Sequence, residues 1–250
     1  MTKLFLVISL MLAMVTPAMG KTIHVAVASN FSQPLQLLAR SFELKSGHKV
    51  HISTASTGKL YAQIKHGAPY HLFLAADQKR PKKLEEEGFT IPGSRFTYAV
   101  GQLVLWAPRE QFQGTAKKLI GQTEIRRFSI ANPKTAPYGV AARQTLQALG
   151  LWEQLQGRLV KGENIAQTLQ FVASGASEMG FVALSQLSEK AMSRGYHWIV
   201  PQRLHSPIRQ DAVLLKQEPA NLAAQAFHAF LQSDRARALI HKLGYKLEDH

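Results

Sequence analysis

The sequence has no cysteine, so neither disulfide bonds nor thiol chemistry can support its fold or its function. Long apolar runs are also missing after residue 20, where no stretch approaches the roughly 18 apolar residues of a membrane-spanning helix. Acidic residues are few, with 16 Asp and Glu against 30 Lys and Arg, and the formal net charge is +14. This balance favours anionic partners. The basic residues are not interleaved with aromatic ones, so we predict that nucleic acid is not among those partners.

Signature motifs of hydrolases are absent from the sequence. There is no Gly-x-Ser-x-Gly nucleophile elbow, and the ten histidines do not form the His-x-x-x-His or His-Glu-x-x-His spacing of zinc enzymes. A secreted hydrolase using Ser29 or Ser56 with Lys59 or a histidine is an alternative that residue types alone leave open. The missing motifs favour a binding protein, so we predict no enzyme activity, no catalytic residue and no site for a free metal cation.

The first 20 residues have the composition of a signal peptide. Lys3 gives the positive start, Leu4–Val15 is an apolar run too short to span a membrane, and small residues follow Pro17. A signal peptide at residues 1–20 predicts an exported protein whose mature chain begins near Lys21. That chain is long enough for two lobes that each have a core of their own.

Apolar runs alternate with helical patterns in the first part of the mature chain. The runs that indicate strands are Thr22–Ala28, Val50–Ile52 and His71–Ala76. Short connections between alternating strands and helices predict a parallel, doubly wound α/β sheet. Polar turns follow the strands, at Ser29-Asn30, at Ser56-Thr57-Gly58 and at Asp77-Gln78. Because ligands of such sheets bind beyond the carboxyl ends of the strands, these turns predict one binding edge.

The turn from Ser53 to Leu60 is rich in hydroxyl side chains and connects a strand to a helix. The N–H and O–H groups at a helix N-terminus can form an anion site. A nucleotide P-loop is excluded, because its pattern requires glycine where Ser53 stands and serine or threonine where Leu60 stands. From this segment alone, the choice between an anion site and a capped helix after a polar turn stays open.

A long extended run from Phe96 to Ala107 is about twice the usual length of a strand and predicts a strand that crosses from one lobe to another. A second α/β unit follows it. In this unit, polar or glycine turns again precede helices, near Tyr138 and near Ile165. The strand Asp211–Leu215 is expected to pair with the crossing strand and to return the chain to the first unit.

Several segments together resemble the periplasmic molybdate-binding proteins of ABC transporters, and the resemblance covers essentially the whole mature chain. The segments are Val27–Phe31, Ala55–Ile64, Gly67–Gln78, Asn132-Pro133 with Ala136–Gly139, and Gly180–Ser185. The resemblance implies a two-lobed type II periplasmic binding protein fold, in which each lobe is a doubly wound sheet and the ligand cleft lies between the lobes. We expect lobe one at residues 21–100 and 210–250, with the C-terminal helices assigned by analogy, and lobe two at 101–209.

Matching motifs carry five ligand-binding positions over to this chain: Ser29, Asn30, Thr57, Tyr138 and Ile165. The first three would hold an oxyanion from lobe one, while Tyr138 and Ile165 would offer backbone N–H groups from lobe two. The sequence departs from some family members, which have alanine at the position of Tyr138 and a binding tyrosine at the position of Ala183. The shape of the pocket is therefore expected to differ from theirs.

The resemblance implies capture of molybdate or tungstate in the periplasm, without a cofactor, by a monomer that delivers the ion to a membrane ABC permease with its ATPase. Neutral donors suit a buried tetrahedral dianion, because they replace its water shell without a counter-charge. Protonated phosphate would need an acceptor such as Asp77, which we expect at the surface or between the lobes. Another tetrahedral oxyanion, such as sulfate or phosphate, remains the alternative ligand.

Overall fold

The computed structural model describes residues 20–109 and 112–248. The predicted signal peptide, apart from its last residue, lies outside the described residues. The chain forms two five-stranded sheets with helices packed against them. Within the two described ranges, no helix is both long enough and apolar enough to cross a lipid bilayer.

The first sheet joins strands from both ends of the chain. Its strands are β1 (Thr22–Ala28), β2 (Lys49–Ala55), β3 (Leu72–Leu74), β4 (Phe96–Gly101) and β10 (Ile208–Leu214), in the order β2-β1-β3-β10-β4. β1 pairs in parallel with β2 and β3, whereas β10 runs antiparallel to β3 and β4.

The second sheet is built from the middle of the chain. Its strands are β5 (Leu103–Ala107), β6 (Phe128–Ala131), β7 (Leu159–Gly162), β8 (Met179–Ala183) and β9 (Tyr196–Ile199), in the order β7-β6-β8-β5-β9. β6 pairs in parallel with β7 and β8, and β5 runs antiparallel to β8 and β9.

Both sheets are therefore mixed, because antiparallel strands join the parallel strands that the alternating pattern predicted. The strands that alternate with helices, β2-β1-β3 and β7-β6-β8, are parallel as predicted. The antiparallel strand β10 enters the first sheet from the opposite direction, because the chain returns there from the second sheet instead of through a crossover helix. The two-lobed α/β architecture predicted from the sequence is confirmed.

Ten α-helices pack against the sheets in the described ranges. They are α1 (Ser32–Ser46), α2 (Thr57–Lys65), α3 (Lys79–Glu86), α4 (Ala116–Ile120), α5 (Pro137–Ala148), α6 (Trp152–Leu155), α7 (Ile165–Ala173), α8 (Glu189–Met192), α9 (Leu222–Leu231) and α10 (Asp234–Lys242). Short 3₁₀ turns follow β1 at Ser29–Phe31 and β8 at Leu184–Gln186.

Helices cover both faces of the first sheet, and its central strands β1 and β3 correspondingly bury apolar residues on both sides. On one face Val25 and Leu74 join an apolar cluster with residues of α1, α9 and α10. On the other face Ala26 and Phe73 pack with residues of α2 and α3. The two C-terminal helices thus bury their apolar sides against the first sheet.

The chain passes from the first sheet to the second at Gln102, between β4 and β5. β10 returns beside β4 with Ile208 opposite Gly101, which is the pairing expected for the crossing strand. A Cβ atom at Gly101 would collide with the hydroxyl of Tyr138 and would lie 2.7 Å from Nε2 of Gln210, so this position requires glycine. The predicted lobe boundaries, between 100 and 101 and between 209 and 210, remain a prediction.

Candidate functional site

A small cavity lies where the strand ends of the first sheet face the helix starts of the second. The volume within it that the centre of a water-sized sphere can reach is about 10 Å³. Pockets for organic ligands are far larger, at roughly 300 Å³ or more, so this cavity fits one compact ion. It is lined by Ala28, Ser29, Asn30, Ser56, Thr57, Ala76, Ala136, Pro137, Tyr138, Asn164 and Ile165.

All five residues predicted to bind a ligand line this cavity, and all five are buried. They come from both sheets: Ser29, Asn30 and Thr57 follow β1 and β2, whereas Tyr138 and Ile165 lie at the starts of α5 and α7. Ala183 is buried in β8 opposite Leu103 and does not line the cavity. None of the lining residues carries a charged side chain.

Thr57 is the first residue of α2, and its side chain is fixed from behind. Its Oγ1 accepts a hydrogen bond of 3.1 Å from the backbone N–H of Ala76, so the hydroxyl proton is free to donate into the cavity. The N–H of the next residue, Gly58, donates to the carbonyl oxygen of Thr135 at 2.9 Å. This contact joins the start of α2, in the first lobe, to the loop between β6 and α5, in the second lobe.

Ser29 and Asn30 form the 3₁₀ turn after β1 and present different groups to the cavity. Among the residues that the structure describes, none is a hydrogen-bond partner of the Ser29 hydroxyl, which is therefore free to donate. The amide of Asn30, by contrast, is fully used, because its Nδ2 donates to Oε1 of Gln210 at 2.8 Å and to the hydroxyl of Tyr245 at 3.0 Å. Asn30 therefore has only its backbone available to contact a ligand as a donor.

The start of α5 leaves one backbone N–H without an acceptor. The N–H groups of Gly139 and Val140 donate to the carbonyl oxygen of Ala136 at 2.9 and 3.2 Å. Pro137 has no N–H at all. The N–H of Tyr138 is the donor that remains at this helix start, and no acceptor for it lies within residues 20–109 and 112–248.

The start of α7 also leaves one backbone N–H without an acceptor, in this case because of its N-cap residue. Asn164 is the N-cap, and its Oδ1 accepts from the N–H groups of Ala166 at 3.0 Å and Gln167 at 3.1 Å. The N–H of Thr168 donates to the carbonyl oxygen of Asn164 at 3.2 Å. A capping side chain normally satisfies the N2 and N3 donors, and here it leaves the N–H of Ile165 for the cavity.

The N–H of Thr57, at the start of α2, likewise has no acceptor among the residues that the structure describes. The N-termini of α2, α5 and α7 therefore each bring one unpaired N–H to the same cavity. Each N-terminus carries a partial positive charge of about half an elementary charge. Such a site favours an anion, and it can hold one through hydrogen bonds without a cationic side chain. Burial raises the pKa of Tyr138 well above its usual value, so the lining contains no group that ionises near neutral pH.

A buried hydrogen-bond network lies behind the cavity and connects the two lobes. The hydroxyl of Tyr245 donates to the carbonyl oxygen of Asn30 at 2.8 Å. Oγ of Ser185, which follows β8 in the second sheet, lies 2.9 Å from the same hydroxyl. Oγ of Ser185 also lies 3.3 Å from the carbonyl oxygen of Asn30, so a residue of the second lobe contacts the Ser29–Phe31 turn directly.

Gln210 is the centre of this network. Its Oε1 accepts from Asn30 and from the hydroxyl of Tyr98 at 3.0 Å, and its Nε2 donates to the hydroxyl of Tyr138 at 3.3 Å. Burial raises the pKa of Tyr98 well above its usual value, so this phenol stays a donor. Gln210 thereby links the turn after β1 to the helix start that carries the Tyr138 N–H.

Asp77 does not line the cavity. It forms an ion pair with Arg80, and its Oδ1 accepts from the Arg80 backbone N–H at 2.9 Å. Arg80 in turn donates through Nη2 to the carbonyl oxygen of Lys134 at 3.3 Å, across the seam between the lobes. The carboxylate expected at the surface or between the lobes therefore lies beside that seam and provides no acceptor inside the cavity.

The two lobes and the cavity between them define the class of solute-binding proteins that enclose a small ligand between lobes. A family model for bacterial extracellular solute-binding proteins matches residues 23–246. The chain is 48% identical over 232 residues to the molybdate-binding protein ModA of Azotobacter vinelandii, covering 92% of each chain. It is 43% identical over 241 residues to ModA of Rhodobacter capsulatus, covering 96% of this chain and 94% of that one.

A solved structure agrees with the sequence comparisons. The periplasmic molybdate-binding protein of Azotobacter vinelandii superposes with a TM-score of 0.87 and 41% identity, covering 91% of this chain and 100% of that one. The chain belongs to the family of bacterial extracellular solute-binding proteins, within which these relatives are molybdate-binding proteins. The resemblance on which the sequence-based expectations rested is confirmed.

Sequence reasoning missed the residues behind the cavity: Gln210, Tyr98 and Tyr245. The signal for Gln210 was present, because it is a neutral polar residue beside an apolar strand run, and buried polar groups require partners. Asn164 was missed as well, although asparagine directly before a helical pattern is a strong N-cap residue. The two tyrosines carry no local signal, since their partners are distant in sequence.

Proposed function

We propose that this protein captures molybdate or tungstate in the periplasm and delivers it to an ABC-transporter permease. The observation that carries the proposal is the convergence of three helix N-termini and two hydroxyl groups on an uncharged cavity for one compact ion. Ser29 and Thr57 donate their hydroxyl protons to the oxyanion, and Thr57, Tyr138 and Ile165 donate backbone N–H groups. Asn30 contributes through its backbone and positions the turn through its amide.

The donor set favours a fully ionised tetrahedral anion. A dianion that leaves water loses its hydration shell, and burying it without compensating hydrogen bonds would cost many kcal/mol. Protonated phosphate brings a proton of its own, which would need an acceptor, and no carboxylate lines the cavity. An unmet buried donor costs about 1–3 kcal/mol. Sulfate carries no such proton, so it is the alternative ligand, and cavity size decides between it and molybdate.

Binding and transport, and not catalysis, are the activity that we propose. In the part of the chain that the structure describes, no carboxylate, histidine, lysine or cysteine that could act as a general base or activate a nucleophile lines the cavity. The relatives are named for binding molybdate, and the family is extracellular. Export by the signal peptide at residues 1–20, action as a monomer and docking on a permease with its ATPase complete the proposal.

A thermal melt tests the ligand. The mature chain is heated with molybdate, tungstate, sulfate or phosphate, each at a concentration far above the expected Kd. At a hundredfold excess over Kd, a bound ligand adds about 2.7 kcal/mol to the free energy of unfolding. For a chain of this size that corresponds to a rise in Tm of about 5–10 °C. We expect this rise with molybdate and tungstate and a much smaller one with sulfate and phosphate.

The other outcomes are informative. A rise with sulfate or phosphate alone would replace molybdate by the alternative oxyanion. No rise with any of the four anions would reject the proposal. Turnover of a generic ester or phosphoester by the purified protein, lost in a Ser29→Ala variant, would restore the hydrolase alternative.

A further inference from the structure

We call the small cavity between the lobes, lined by the five predicted ligand-binding residues, the anion cavity. A larger basic cavity adjoins it on one side of the seam between the lobes. Its volume, measured in the same way, is about 500 Å³, and it shares Ala76 and Pro137 with the lining of the anion cavity. Its cationic residues are Lys79, Arg80, Lys134, Arg143 and Arg209. We call this cavity, defined by these five cationic residues, the basic vestibule.

The charges of the basic vestibule are only partly neutralised. Within residues 20–109 and 112–248, Asp77 is the one acidic residue in its lining and is paired with Arg80. Arg209 pairs with Glu248, which lies outside the lining. The other three cationic residues are Lys79, Lys134 and Arg143. They are exposed and form no ion pair with any residue in the described ranges.

The unpaired charges flank the place where the lobes meet. Lys79 is the first residue of α3 in the first lobe, whereas Lys134 and Arg143 belong to the second lobe. Arg80 joins the two sides by donating to the carbonyl oxygen of Lys134 at 3.3 Å. An anion approaching the seam from this side therefore passes between cations of both lobes.

The anion cavity and the basic vestibule differ sharply in charge. Among the residues that the structure describes, none with a charged side chain lines the anion cavity, so the lysines and arginines of the vestibule are not ligands of an ion held there. Exposed charges act over a Debye length of about 8 Å at physiological ionic strength and about 30 Å at 0.01 M. Clefts lined by charge of one sign raise the association rate of an oppositely charged ligand by 10-fold or more.

We propose that the basic vestibule is the entrance through which the oxyanion reaches its cavity, and that Lys79, Lys134 and Arg143 accelerate its capture electrostatically. The proposal rests on the oxyanion function proposed above. Neutral donors then hold the bound ion, while cations outside the cavity set the rate of its arrival. The cations determine association, and the cavity determines dissociation and selectivity.

Stopped-flow fluorescence with molybdate tests whether the vestibule cations set the association rate while the cavity sets the dissociation rate. The variant K79Q/K134Q/R143Q is compared with the wild type and with K45Q/K49Q/K118Q, which removes three exposed lysines outside the vestibule. At low ionic strength, we expect the vestibule variant to associate about 10-fold more slowly and to lose most of its salt dependence. Its dissociation rate constant should stay within about twofold of the wild-type value, and Kd from calorimetry should rise by the same factor as association slows.

The control variant should associate nearly as fast as the wild type. Equal slowing in both variants would mean that net charge, and not the vestibule, steers the ion. An unchanged association rate in the vestibule variant, or a change confined to dissociation, would overturn the proposal while leaving the oxyanion function intact. If the wild-type protein itself bound no molybdate by calorimetry, the proposed function would fail, and this inference would fail with it.

Discussion

Replacing Asn164 with aspartate separates the stability of the protein from its affinity for an anion. The side chain keeps its shape, so a carboxylate oxygen can still accept from the N–H groups of Ala166 and Gln167. In the wild type these groups lie 3.0 and 3.1 Å from Oδ1 of Asn164. A negative charge at a helix N-terminus is favourable by about 0.3–1 kcal/mol. The ligand-free Asn164→Asp protein should therefore melt at the wild-type temperature or slightly above it.

Binding should respond in the opposite direction, because Asn164 lines the anion cavity. At a separation of about 5 Å and an effective dielectric constant near 20, a carboxylate repels each unit charge of the anion by about 3 kcal/mol. A loss of only 3 kcal/mol corresponds to an approximately 100-fold rise in Kd. Calorimetric titration with molybdate should therefore show affinity at least about 100-fold weaker for the variant than for the wild type.

An Asn164→Ala variant is the matched control. It removes the cap without adding charge, so its Tm should fall by the equivalent of about 1 kcal/mol, and its affinity should drop less than that of Asn164→Asp. Wild-type affinity in a folded Asn164→Asp protein would contradict this prediction, because a half-buried carboxylate that lines the cavity repels a bound dianion.

Three further predictions follow from the contacts of single residues. Thr57→Val should weaken molybdate binding about 10-fold or more in calorimetry and also lower the ligand-free Tm, because the buried N–H of Ala76 loses its acceptor, whereas Thr57→Ser should preserve both values. Gly101→Ala should cost about 1–3 kcal/mol in chemical denaturation, since the new methyl group would displace the Tyr138 ring. Burial lowers the pKa of His228 below its usual value of 6.5, so the folded state binds this proton less readily than the unfolded state. The stabilisation that is present above pH 6.5 is therefore lost as the pH falls below that value. The drop in Tm between pH 7 and pH 5.5 should accordingly be smaller for His228→Gln than for the wild type. Unchanged denaturation of Gly101→Ala, full binding by Thr57→Val, or an equal pH dependence in His228→Gln would contradict the corresponding prediction.

The half of the site that follows the first sheet could be predicted from local sequence patterns. Ser29-Asn30 and Ser56-Thr57 come directly after apolar strands, and parallel strands end at a common edge. The structure places these turns together in one cavity. Hydrophobic periodicity and turn residues are therefore enough to predict binding residues that directly follow the strands that position them.

The half of the site that the second lobe contributes depends on which backbone N–H groups lack an acceptor. Pro137 removes one donor of α5, and the side chain of Asn164 satisfies two donors of α7, so Tyr138 and Ile165 keep theirs. Both causes are visible in the sequence once the helix starts are known. The sequence alone does not bring two helix starts to one point, because that depends on how the second sheet packs against the first.

The network around Gln210 could not be predicted, because its contacts join distant parts of the chain. Its partner Asn30 lies 180 residues away, and Tyr245 reaches the same turn from the C-terminal end of the chain. The antiparallel course of β10 has the same origin. The sequence predicted that this strand returns the chain and pairs with the crossing strand, but local patterns do not set its direction relative to β3, which depends on tertiary packing.

The proposed binding of one oxyanion between the two lobes depends on neutral donors. Its most direct test is a crystal structure of the protein grown with molybdate, with anomalous scattering at the molybdenum absorption edge to locate the metal. We expect one peak in the cavity, with molybdate oxygens within hydrogen-bond distance of the Ser29 and Thr57 hydroxyls and the Tyr138 and Ile165 N–H groups. A peak held by lysine or arginine side chains, or none in the cavity of a protein saturated with molybdate, would contradict it.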